Sequence, residues 1–124
     1  MSDKQYLLKL DVEGKEVSRH PLPGGNPRQI QRVGDQYFVA HLADNWPADR
    51  NSRGFLSILD KDFKVLSNPG GTAPEYDDGG RLKKMAHQGE VFMHPHDLVV
   101  ARDGSLYVAQ FASGETYPIK LERV

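Results

Sequence analysis

The chain has 124 residues, a formal net charge of -1 and no cysteine, so it fits one small domain without disulfides, thiolate zinc sites or Cys nucleophiles. A domain of this size buries only roughly two-thirds of the surface its unfolded chain exposes, which leaves little room for a large enclosed active site in one copy. No Lys/Arg run exceeds Lys83-Lys84 and no apolar stretch is long enough to cross a bilayer, so neither nucleic acid nor membrane is an expected partner.

In chain order, MSDKQYLLKL lacks the apolar core of a signal peptide, and as written the chain reads as cytoplasmic. Short runs rich in Val, Ile, Leu, Tyr and Phe then alternate with Gly, Pro, Asn and Asp clusters, which predicts an all-β chain. Two strands are predicted over residues 6–18 and four over residues 26–67. A long connection follows over 68–93, either a lid or a partly ordered segment, with RLKKMA (Arg81 to Ala86) as a short helical turn. Three further strands are predicted over 94–124.

Self-comparison organises these runs. LDVEGKEVS (Leu10 to Ser18) and LDKDFKVLS (Leu59 to Ser67) share Leu, Asp, Lys and Ser at matching offsets, and each is followed by Pro-Gly-Gly. NPRQIQRVGDQYFVAH (Asn26 to His41) and HPHDLVVARDGSLYVAQ (His94 to Gln110) share a Pro, an apolar strand, a Gly/Asp turn and an aromatic strand ending in Val-Ala. YLLKLD (Tyr6 to Asp11) and YPIKLE (Tyr117 to Glu122) echo each other at the two ends.

Four antiparallel strands per repeat is the pattern of a β-propeller blade. In this frame residues 6–18 supply the outer strands of one blade, 26–67 a complete blade and 94–124 the inner strands of a last one. Nine strands are too few to close a ring, so association is expected. Slightly more than two blades per chain makes a homotrimer the simplest route to six blades. One strand per chain is then surplus, and the Tyr6 and Tyr117 strands compete for one slot. The alternative is that the chain is the C-terminal end of a longer propeller.

The run from Phe92 through Pro95-His96-Asp97 and Asp103-Gly104 to Tyr107-Val108 resembles the six-bladed NHL-repeat propellers, most closely the peptidyl-α-hydroxyglycine α-amidating lyase branch. That resemblance implies that His96 is a zinc ligand, one of three contributed by separate blades, and that Asp97 helps to hold calcium. Only one such His occurs here, the other blade having Arg28 and Gln29 at those places. The positions of the family's catalytic Tyr and substrate-binding Arg are held by Ala43 and Phe111. Related propellers are often exported.

The residues can be read on their own as well. Pro95 holds His94 extended and gives up its N–H, as suits the start of an inner strand. His96 then stands at the strand's mouth, either as a metal ligand or as a His bonded to a neighbouring loop; three neutral imidazoles would leave zinc a fourth position for water. His94 reads as a rim residue, supporting His96 or simply solvated. His41, at the end of an inner strand, is expected to line the channel mouth with Arg28, and it precedes a turn-rich loop whose Trp46 either covers that mouth or packs on its own loop. Arg28 either clamps a carboxylate or pairs with a neighbouring blade's Asp. EYDDGG (Glu75 to Gly80) lacks the spacing of an EF-hand and reads as a solvated turn. Two functions follow: a metal-dependent lyase or hydrolase relative, or a non-catalytic propeller module for small-molecule, peptide or protein ligands.

Overall fold

The computed structural model describes residues 5–44, 47–49, 51–110 and 118–122. Nine strands form among them: β1 (Tyr6–Leu10), β2 (Glu16–Pro21), β3 (Pro27–Val33), β4 (Gln36–His41), β5 (Phe55–Leu59), β6 (Val65–Ser67), β7 (Pro95–Val100), β8 (Leu106–Gln110) and β9 (Ile119–Leu121). They make three antiparallel sheets in chain order, β1-β2, β3-β4-β5-β6 and β7-β8-β9. No helix forms among the described residues, so the chain is all-β.

The first repeat becomes one hairpin built twice. Leu10 pairs with Glu16 and Lys9 with Ser18 across a bulge, while Leu59 pairs with Val65 and Ile58 with Ser67 across a bulge at the same place. Each turn is closed by an aspartate whose carboxylate accepts two backbone N–H groups: Asp11 from Glu13 and Lys15, both 2.9 Å, and Asp60 from Asp62 and Lys64, 2.8 and 3.0 Å. Both turns need a left-handed residue, supplied by Gly14 at φ 85° and, unusually, by Phe63 at φ 65°. Phe63 holds that conformation between two rings, with centroids 4.4 Å from His20 and 4.5 Å from Tyr37.

Alternation along β4 explains the stacking of the sheets. Phe38 and Ala40 point one way, into a cluster with Leu56, Phe92, Leu98, Leu106 and Val108 that joins the middle sheet to the β7 sheet. Val39 points the other way, into a cluster with Leu22, Phe55, Leu59, Val65 and Met85, against which Leu7 of β1 packs. The middle sheet is thus covered on both faces, which is why β4 and β5 read as near-continuous apolar runs. Burying each such side chain contributes on the order of 1.5–3 kcal/mol.

The 68–93 connection is ordered as an irregular hairpin held by bridges Gly71–His87 and Tyr76–Leu82. RLKKMA is not helical: it is the returning arm, where Lys83 N–H donates to Glu75 O at 2.8 Å and Met85 N–H to Pro23 O at 2.8 Å. Met85 explains the preference, because an extended arm delivers its side chain to the second cluster, where it is buried. EYDDGG forms the tip, with Asp77 accepting from Gly79 and Arg81 N–H at 2.9 Å each, so this carboxylate is engaged by its own turn.

Candidate functional site

The second repeat places two prolines at equivalent strand starts. Pro27 pairs with His41 and Gln29 with Ala40, leaving Arg28 as the extra residue of a bulge. In the neighbouring sheet Pro95 pairs with Gln110 and Asp97 with Ala109, leaving His96 as the extra residue of the matching bulge. A bulge lifts one residue out of the ladder and re-aims its side chain. His96 and Asp97 are exposed, and the Asp97 carboxylate accepts from Leu98 N–H at 2.7 Å. Arg28 is half-buried; its Nε is buried and without a hydrogen-bond partner inside the chain.

Arg28 borders a cleft of about 260 Å3 between β1 and β3, lined also by Tyr6, Leu7, Leu8, Gln29 and Ile30. The cleft exists because the β1-β2 sheet covers only part of the middle sheet: Val39 beneath it is fully buried, but Ile30 remains 41 % exposed.

His41 and His94, both read as residues of a mouth or rim, are buried instead, at 0 % and 1 % exposed. The His41 ring is saturated. Its Nδ1 accepts from Asn26 N–H at 3.1 Å, so its proton lies on Nε2, which donates to Ser57 Oγ at 3.0 Å; Ser57 donates onward to Asn68 Oδ1 at 2.7 Å. The Asn68 amide completes the chain by donating to Thr72 O at 3.0 Å. Burial pushes the His41 imidazole down to about 3, so it stays neutral in this network. Gly25 is required beside it, since a Cβ there would lie 2.7 Å from the ring. With Nε2 donating to Ser57, His41 is not placed as a base for that hydroxyl, and neither residue touches solvent; the network ties β4, β5, the turn before β3 and the long connection together.

The two strand starts are joined by Gly54, whose N–H donates to Met93 O at 2.8 Å and which packs against His41 O and the Pro95 ring so closely that no Cβ fits. Trp46 and Phe111 lie outside the described residues. Ala43 is buried and its carbonyl accepts from the Asn26 amide at 2.9 Å.

A second cleft, of about 670 Å3, escaped the sequence reading because its walls come from three distant segments: His20 on β2, Asp62 to Lys64 in the β5–β6 turn, and Tyr76 and Arg81 at the hairpin tip. The Tyr76 hydroxyl accepts from Val65 N–H at 2.8 Å, and Lys64 Nζ lies 5.5 Å from the Tyr76 ring centroid. Only the paired apolar and aromatic positions either side of the Asp77 turn hinted that these segments meet.

Among the described residues of one chain no three His, Asp or Glu side chains converge on a cation position. Comparison with family models, characterised proteins and solved structures finds no match to this chain.

Proposed function

We propose that the chain is a two-blade unit of an NHL-type six-bladed β-propeller, that three copies close the ring, and that the ring binds small carboxylate-bearing ligands at a cation held by His96 of each copy. The carrying observation is the equivalence of Arg28 and His96 as the bulged residues after proline on the first strands of adjacent sheets. Threefold repetition of that pair gives three imidazoles and three guanidiniums around one axis.

Three neutral imidazoles suit zinc and leave a position for a ligand. Arg28 supplies planar donors matched to a carboxylate, and its unpartnered Nε supports that role. Asp97, a hard oxygen donor, suits calcium better than zinc. Binding is proposed rather than amidating-lyase chemistry, because Ala43 and Phe111 stand where the resembled family has its Tyr and Arg. The unpartnered Arg28 Nε also favours a second reading, a metal-free module that captures carboxylates through Arg28 alone.

Metal analysis of protein prepared without chelators or metal-affinity tags separates the two. One zinc per three chains, lost in His96→Ala and retained in Arg28→Ala, is the expected result. His96→Ala with undiminished zinc would overturn the metal site, and carboxylate binding that survives Arg28→Ala would overturn the role of Arg28.

A further inference from the structure

We infer that β1 of a second copy takes the place of β9, pairing with β8 in the register Leu106–Leu10, Tyr107–Lys9 and Val108–Leu8, so that β7 and β8 of one chain and β1 and β2 of the next form one four-stranded sheet. The inference rests on the ring proposed above and specifies its joint.

Three observations converge on this register. First, β9 pairs with β8 as Leu121–Leu106, Lys120–Tyr107 and Ile119–Val108, and YLLKLD matches YPIKLE position by position, so Leu10, Lys9 and Leu8 stand where Leu121, Lys120 and Ile119 do. Second, the complete sheet gives the same answer. Leu59 of β5 pairs with Tyr37 of β4, Leu59 is the repeat equivalent of Leu10, and Tyr37 is the equivalent of Leu106. The β1-β2 hairpin reproduces the β5-β6 hairpin down to its bulge, which makes it the missing outer half of the β7-β8 sheet.

The third observation is burial. Ile119 and Leu121 are packed against the cluster of Phe38, Leu98 and Val108, whereas their counterparts Leu8 and Leu10 are 42 % and 49 % exposed. In the proposed register both leucines reach that cluster in the neighbouring copy. Meanwhile Lys9 shares a face with Tyr107, and Val99 and Tyr107, now 55 % and 43 % exposed, turn toward the partly bare Ile30 side of the next middle sheet. The cleft between β1 and β3 is the space those strands fill.

β1 is also the better occupant. It offers five residues backed by β2, whereas β9 has three and an open outer edge among the described residues. Pro118 stands where β1 has Leu7, removing a ladder donor, while Leu7 already packs on the second cluster.

The absence of native cysteine permits a direct test in the full chain. The double variant Lys9→Cys/Tyr107→Cys, oxidised mildly, is expected to give reducible covalent dimers and trimers. Leu8→Cys/Tyr107→Cys, slipped by one residue and so on opposite faces, is expected to give none. The β7-β8 sheet packs on the Phe38 face of the middle sheet and β1 on the Val39 face, so a bond within one chain does not compete. Light scattering on the same samples separates the two levels of the argument. An assembled trimer that cross-links only in the slipped pair, or in neither, overturns this register and leaves the ring standing; a folded monomer overturns both.

Discussion

The middle sheet and its two neighbours obey the same local rules and end in different states. β4 and β5 are covered on both faces, and their cross-strand partners bury Phe38, Val39, Ala40, Leu56 and Leu59 almost completely. The flanking sheets repeat the same strand patterns with two and three strands instead of four, and they leave Leu8, Leu10, Val17, Val99 and Tyr107 at 42 % exposure or more. Identical turn chemistry and registers therefore do not decide burial; the number of neighbours does. A repeat unit with one neighbour is half-solvated, and in the proposed ring further copies would supply the missing one.

The sharpest way to break this contrast is in the middle sheet. Phe55→Ala removes a fully buried ring that packs on Met85 and lies 4.7 Å from the His41 ring, and a loss of about 3–5 kcal/mol in chemical denaturation is expected. An effect of comparable size comes from pH. The His41 imidazole is held down to about 3 in the fold against an ordinary 6.5, so the unfolded chain binds the extra proton first. The contribution of His41 is complete above about pH 6.5 and falls away as pH drops toward 3, a loss on the order of a few kcal/mol; His41→Gln should flatten that part of the stability-pH curve. Gly25→Ala forces a methyl to 2.7 Å from the same ring, and about 1–3 kcal/mol is expected in thermal unfolding. Tyr107→Ser, on the outer face of the β7 sheet, should change the unfolding free energy of a dissociated chain by no more than about 0.5 kcal/mol, while raising the concentration needed for assembly. Equal losses for Phe55→Ala and Tyr107→Ser in the dissociated chain would erase the distinction between the sheets.

Strands, turns and repeats were legible because each rests on local chemistry: period-two patterning, Asp-initiated turns and proline at the strand start. Even the bulge positions follow from the repeat once Pro27 and Pro95 are aligned. The fate of the histidines was not legible. His41 and His96 flank similar strands, and what buries one and exposes the other is non-local: Gly25, Ser57 and Asn68 close around His41 from three segments. RLKKMA misled because its composition favours a helix, while the two arms of its hairpin pair across the Asp77 turn. The larger cleft was invisible for the same reason, its walls being scattered along the chain.

Assembly is the claim on which the axial site depends, and the most direct measurement is the mass of the untreated protein in solution, by light scattering across a micromolar concentration series. The proposed ring requires a species of three times the chain mass that persists on dilution to the low micromolar range. A folded species at the mass of one chain throughout that series would contradict it, and with it the joining of three His96 side chains around one ion.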